Sequence, residues 1–359
     1  MPDSGSKPLL TFAVFALNQE PFIREAVQAA FAQDYSPLEI VLSDDRSEDR
    51  TFEIMQEMAR AYRGPHRVIV NQNPSRLSIG GHVNAVMRLS KGELVVSAAG
   101  DDISRPNRTR SIYEAWEAGG RRATSIHSGF DQIDAEGRPI RQIYSSEWEG
   151  ETRRFVEQHP EPLPYVQTLK PYVYGCTHAW SRELMRQFGD VPDEIIHEDN
   201  TLVFRSILKG QVVYVNEVLV SYRLHGANVF LRDGRRPPMT LASLGRDEDR
   251  IRRGFRNREA MFRSFLLDLA TAKSRGFIAA SAAEPVQAEA ERRLRHYRLM
   301  GEFLESGSLR KWRLLETLKR DGVSPEECRV LSKRLLPRSV FLRLRWLRGA
   351  AAGLARSQG

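Results

Sequence analysis

Cysteine is almost absent: two residues in 359, Cys176 and Cys328, give neither a disulfide framework nor the paired spacing of a metal site. Both are expected to be reduced. Long apolar runs are missing too, none approaching the ~18 residues that a membrane span needs, so no integral membrane segment is expected. Met1-Pro2-Asp3-Ser4-Gly5-Ser6-Lys7 lacks the apolar core of a secretory signal, and the expected location is the cytoplasm. No glycine-rich phosphate loop with a following arginine stands near the first apolar run. What is present is 41% hydrophobic content, enough to bury one large core or two modest ones.

Acidic residues are scarce in the rear of the chain. Residues 231–359 carry 29 Lys and Arg against 15 Asp and Glu, net +14, while residues 1–230 carry 25 against 31, net −6. Such asymmetry assigns the two parts different work. An acidic, metal-dependent body followed by a segment that meets an anionic surface fits this balance.

The front reads as alternating strands and helices. Leu9 to Ala16 is a central strand; Pro21 opens a helix with Phe22, Ile23, Ala26, Val27 and Ala30 on one stripe. Leu38 to Leu42 is a second strand, ending at Asp44-Asp45, and a helix follows with Phe52, Met55, Met58, Ala59 and Tyr62 on one face. Val68 to Val70, a helix over 80–89 and a strand over 93–98 continue the pattern, which predicts a mostly parallel sheet with right-handed crossovers. The fourth strand stops on Gly100-Asp101-Asp102. Ligands of open α/β sheets sit beyond such strand ends, and paired carboxylates there suit Mg²⁺ or Mn²⁺. The plainer alternative is that Asp101 caps the helix beginning near Arg105 and Asp102 is solvated.

Taken in order, Leu9 to Val14 with Asn18, Gln33-Asp34-Tyr35-Ser36-Pro37-Leu38-Glu39-Ile40-Val41, Asp44-Asp45-x-Ser47-x-Asp49-x-Thr51, Lys91-Gly92-Glu93 and Gly100-Asp101-Asp102 resemble the family 2 glycosyltransferases of the GT-A fold. The resemblance covers roughly residues 8–120. It implies that Asp45 contacts the nucleotide base, that Asp102 ligates the metal and that Asp101 contacts the sugar. Phe15 and Leu17 would lie on the donor side, with Leu17 where the family commonly has Tyr and Ala99 where it often has the leading aspartate. Arg46 and Arg50 replace family glycines and, like Arg76, are either phosphate contacts or solvated loop residues.

Farther on, Thr124 to Phe130 reads as a strand, Asp134 to Arg138 as a hairpin turn, and residues 145–170 as an irregular or partly helical lid. Trp180, before a short helix over 182–188, is either an acceptor-stacking ring or a core residue. His197-Glu198-Asp199-Asn200 opens a helix bearing Leu202, Val203, Ile207 and Leu208. Acidic residues favour a helix start on their own account, but the position also resembles the family's Glu-Asp motif, which makes Asp199 the general base and Glu198 a sugar or acceptor contact. Tyr222-Arg223-x-His225 resembles a further family segment, in which His225 would complete the metal site or touch the diphosphate. His82, His127 and His296 are left as structural or exposed.

Residues 243–335 are helical in character, and the segment 335–348 mixes Leu, Phe and Trp with Arg, a composition suited to an anionic lipid surface, with oligomer contact as an alternative. Nucleic acid is not an expected partner. The whole reading is a GT-A domain over 1–230 with a basic helical extension over 231–359. The expected activity is inverting transfer from a nucleotide-sugar, UDP-linked by family habit, to a hydroxyl of a glycan or lipid-linked acceptor. A catalytically idle nucleotide-sugar-binding scaffold is the rival; a sugar-phosphate nucleotidyltransferase ranks third.

Overall fold

The computed structural model describes residues 7–143, 154–226, 228 and 240–356. Three strand–helix alternations and a fourth strand open the chain: β1 (Leu10–Ala16), α1 (Ile23–Phe31), β2 (Leu38–Asp44), α2 (Thr51–Ala61), β3 (Arg67–Gln72), α3 (Ile79–Leu89) and β4 (Leu94–Ala99). β1 and β2 are buried along almost their whole length, as strands covered on both faces must be. The stripe predicted for α1 is the buried one, Ile23, Ala26, Val27 and Ala30. Ser78 caps α3 by accepting the Gly81 N–H at 3.0 Å.

The elements after β4 depart from simple alternation. They are β5 (Ile103–Ser104), α4 (Arg108–Ala118), β6 (Ala123–Ile133), β7 (Pro139–Ile143), β8 (Phe155–Gln158), α5 (Pro162–Thr168), β9 (Ala179–Ser181), α6 (Arg182–Phe188), α7 (Glu198–Lys209) and β10 (Gln211–Arg223). The sheet runs β3-β2-β1-β4-β9-β6-β10-β5, with β7 on β6 and β8 on β10. β1, β2, β3 and β4 are mutually parallel, β6 and β10 are parallel, and β9 enters antiparallel between β4 and β6. The sheet is therefore mostly parallel in its first half and mixed in its second. Of the segment expected as a lid, 145–153 lies outside the described residues; the rest holds β8 and α5.

The chain divides into two compact units: Met1–Asp233 with Leu267–Val286, and Gly234–Leu266 with Gln287–Gly359. Helices α8 (Leu241–Ser274), α9 (Ala280–Glu305), α10 (Ser308–Arg320), α11 (Pro325–Ser332) and α12 (Arg338–Arg356) make up the rear. In the first unit, Arg205 of α7 holds Asp268 through a buried ion pair at 3.0 Å. Within the second, Phe262 stacks on Tyr297 and Arg334 pairs with Glu248 at 2.7 Å. No helix among the described residues is long and apolar enough to cross a membrane. Both cysteines are free and buried.

Candidate active site

Parallel pairing on both sides of β1 brings two acidic strand ends to one edge. Ala16 stands opposite Asp44 and Phe15 opposite Ala99, so Asp44-Asp45 and Asp101-Asp102 flank the same opening. Asp44 turns into its own loop, accepting from Ser47 N at 2.9 Å and Gln72 Nε2 at 3.0 Å. Asp45 is buried, and its Oδ1 accepts from Asn73 Nδ2 at 2.8 Å and Leu77 N at 2.9 Å. That second bond ties Asp45 to the loop carrying Arg76, which is exposed. Phe15 is half-buried, edge-on to His82 at 5.0 Å between ring centres; Leu17 is half-buried beside it in sequence. His82 is buried against Ser43 Oγ at 2.8 Å, and burial lowers its pKa. Arg46 holds φ +65°, a left-handed conformation that glycine adopts freely, and reaches Gln72 rather than the opening. Arg50 pairs with Glu53 at 3.3 Å.

Beyond β4 the two aspartates part. Asp101 caps no helix, because β5 follows and α4 starts only at Arg108. Its Oδ2 lies 3.0 Å from His225 Nε2. Asp102 faces inward at 3% exposure, with Oδ1 accepting the Arg223 backbone N–H at 2.9 Å. Burial, then the neighbouring Asp101, pushes the Asp102 carboxyl well above the ordinary range, against the Arg223 N–H bond and the Arg108 charge. His225 thus meets Asp101 rather than Asp102, whose Oδ1 is taken by the Arg223 N–H while its Oδ2 is buried without a hydrogen-bond partner.

Arg223 organises this corner, although sequence reasoning gave it no role. It is wholly buried, with Nε on Asp101 O at 2.9 Å, Nη1 on Ala135 O at 2.9 Å and Nη2 on Glu25 at 2.8 Å. Its guanidinium stacks over Phe22 at 5.0 Å, and the same ring packs on His225 at 4.7 Å. Asn228 closes the turn, donating to Arg223 O at 2.9 Å and accepting the His225 N–H at 2.5 Å. The available signal was the Tyr222-Arg223-x-His225 segment, in which only the histidine was singled out.

The third acidic centre is Glu198-Asp199, at the first turn of α7. His197 is the N-cap residue and makes no side-chain cap bond, and both carboxylates stand in the first turn. Asp199 Oδ1 accepts Asn200 N at 2.7 Å, and the Asn200 backbone oxygen is held by Tyr165 Oη at 3.2 Å. Burial pushes Asp199 up to about 6; burial and the Asp199 charge push Glu198 up to about 8. Near neutrality such a pair shares one proton.

A single 3₁₀ turn, Gly175–Thr177, joins the two acidic centres. Gly175 lies under Glu198, where a Cβ would be 2.7 Å from Oε1. Cys176 lies beside Asp102, whose charge adds to burial in raising the thiol pKa. Trp180, considered as an acceptor platform, is 1% exposed in β9 with Nε1 on Met87 Sδ at 3.2 Å. A ring so enclosed cannot stack on a sugar. Tyr172 and Tyr174, on the chain leading into the 3₁₀ turn, are the exposed aromatics of this stretch.

Residues 11–188 match the family model described as Glycosyl transferase family 2. An uncharacterized glycosyltransferase of Rickettsia typhi is 22% identical over 228 residues, covering 63% of this chain and 67% of that protein. The succinoglycan biosynthesis protein ExoO of Rhizobium meliloti is 29% identical over 146 residues, 41% of this chain and 40% of its own length. Among solved structures, residues 1–349 of TarS from S. aureus, crystallised with UDP-GlcNAc, superpose with a TM-score of 0.56 at 16% identity, covering 94% of this chain and 88% of that one. The fold is thus a GT-A-like α/β arrangement, and the chain belongs to glycosyl transferase family 2 through the domain spanning residues 11–188.

Proposed function

We propose that the protein is an inverting glycosyltransferase that moves a sugar from a nucleotide-sugar to a hydroxyl of a glycan or lipid-linked acceptor. The observation that carries this reading is the Gly175–Thr177 turn, which sets the Asp101–His225 corner beside the Glu198–Asp199 pair. One centre suits a leaving diphosphate, the other an incoming hydroxyl. UDP is the first nucleotide to test, supported by the UDP-GlcNAc complex of TarS. ExoO, named for succinoglycan biosynthesis, supports a polysaccharide acceptor.

The donor residues suit a hard divalent cation. Asp101 Oδ2 and His225 Nε2, 3.0 Å apart, would be the side chains that hold it. No group of three or more such ligating side chains occurs among the described residues. When bound, the cation would offset the charge that develops on the diphosphate as the glycosidic bond breaks. Asp45 and the loop it holds would receive the base. Asp199, ionised above its raised pKa, would take the acceptor proton as the hydroxyl attacks the anomeric carbon from the face opposite the diphosphate. Glu198, protonated at neutral pH, would donate a hydrogen bond to a sugar or acceptor oxygen.

The basic rear would hold the enzyme at an anionic membrane surface from the cytoplasmic side. Val340, Leu344 and Leu347 of α12 recur at i, i+4 and i+7, are all exposed, and alternate with arginines.

Incubation with UDP-sugars and Mn²⁺, without acceptor, tests the reading. A transferase releases UDP slowly by donor hydrolysis. An idle nucleotide-sugar-binding scaffold binds the donor, gains thermal stability from it by mass action and releases nothing.

A further inference from the structure

We propose that the chain carries a second anion site, at the sheet edge opposite the acidic pairs, for a compact ligand bearing two or more phosphate charges. A cavity of about 880 Å³ opens there, within the first unit, where β4, β6 and β10 begin and β9 ends. β4 has six residues, so it rises ~20 Å from this edge to Asp101. The cavity is thus separate from the proposed transfer site.

Its lining is strongly basic. Lys91, Arg121, Arg122, Arg182, Arg186 and Lys209 face it, against Glu93 and Glu183. Three of these cations are engaged: Arg121 with Glu117 at 2.7 Å, Arg122 with Glu157 at 3.7 Å and Arg186 with Glu183 at 2.6 Å. Lys91, Arg182 and Lys209 have no carboxylate partner among the described residues. The Arg182 guanidinium donates to Lys91 O at 3.3 Å, and the Lys209 ammonium rests over Phe277 at 4.6 Å. An excess of like charge in one concavity raises the local concentration of anions. Thr124, 7% exposed, belongs to the same wall, its Oγ1 buried and without a hydrogen-bond partner.

Phosphate fits this lining better than a neutral sugar or a base. Guanidinium forks match phosphate oxygens two at a time. The one aromatic wall residue, Trp116, is 4% exposed and lies beneath the Arg121 guanidinium, which leaves no free face for ring stacking. A free diphosphate and a phospholipid headgroup both present this chemistry.

Calorimetric titration of the full chain with inorganic pyrophosphate, with EDTA present, tests the site. Lys91→Gln with Lys209→Gln should weaken binding about tenfold or more, since each removes a charge-assisted contact. UDP–Mn²⁺ binding should stay within about twofold of wild type, because the two sites are remote. Lys91→Gln alone, at an exposed lysine, should weaken pyrophosphate several-fold even if the double variant folds poorly. Parallel sedimentation with phosphatidylcholine vesicles, with and without phosphatidic acid, identifies the source: binding lost in the variants assigns the headgroup, and pyrophosphate binding alone assigns the free anion. Either outcome supports the site. Pyrophosphate binding equal in wild type and variants overturns it, as does the absence of both pyrophosphate binding and variant-sensitive vesicle binding.

Discussion

Glu198 closes directly over Gly175, so near that a Cβ on the glycine would stand 2.7 Å from Oε1. Gly175→Ala should turn the Glu198 carboxyl away from the acceptor position while leaving the Asp101–His225 corner in place. Transfer is expected to fall by about 10²-fold, the cost of a misplacement near 1 Å, with UDP affinity little changed. Steady-state kinetics beside UDP calorimetry reads the split; unchanged turnover would mean that the pair tolerates displacement.

His225 Nε2 meets Asp101 Oδ2, not Asp102. His225→Ala and Asp101→Asn should each remove the tightening of UDP binding by Mn²⁺, an effect of about tenfold or more. Calorimetry with and without Mn²⁺ checks this. Equal Mn²⁺ enhancement in wild type and both variants would remove these residues from the cation site.

Arg223 is expected to matter for folding. Removing a wholly buried guanidinium that spans Glu25, Asp101 and Ala135 leaves their oxygens unpaired. Arg223→Met should cost about 2–4 kcal/mol, less than a fully buried pair would, because Glu25 is half exposed and regains water. Denaturant midpoints measure it, and a loss under 1 kcal/mol would contradict the assignment.

Burial gives the acidic pair a sign in the pH dependence of stability. Asp199 and Glu198 titrate near 6 and 8 in the folded protein, but near 4 when unfolded. The folded state therefore holds more protons between about pH 4 and 8, and this contribution to stability is present at low pH and lost as pH rises through that window. Glu198→Gln should flatten the decline in melting temperature between pH 5 and 8. Parallel curves for wild type and variant would show that the carboxyl is not desolvated.

Several features were legible in the sequence because they are local. An apolar run ending on Asp44-Asp45 or on Asp101-Asp102 states both the strand and the place where its end opens. Asp199 followed by the stripe Leu202-Val203 likewise declares a helix start with acidic residues in its first turn. The partner of His225 is not local. It depends on β10 pairing with β5 so that Ser221 stands opposite Ile103, a register set across more than a hundred residues. Trp180 is similar: its burial follows from β9 slipping between β4 and β6, which no periodicity of a three-residue strand announces. The basic cavity draws on several separate segments, and its charges look like ordinary solvated residues until the sheet brings them together.

The most direct test of the account is Asp199→Asn, which keeps the size of the side chain and most of its hydrogen bonds but cannot take a proton from the acceptor. Transfer rate, UDP affinity with Mn²⁺ and melting temperature should be measured on the one variant. Transfer should be lower by about 10²–10⁴-fold, the usual worth of general-base catalysis, with UDP affinity unchanged and melting temperature equal or higher because a half-buried charge is gone. Near-normal transfer by a folded, UDP-binding Asp199→Asn protein would contradict it and move the role of base to Glu198.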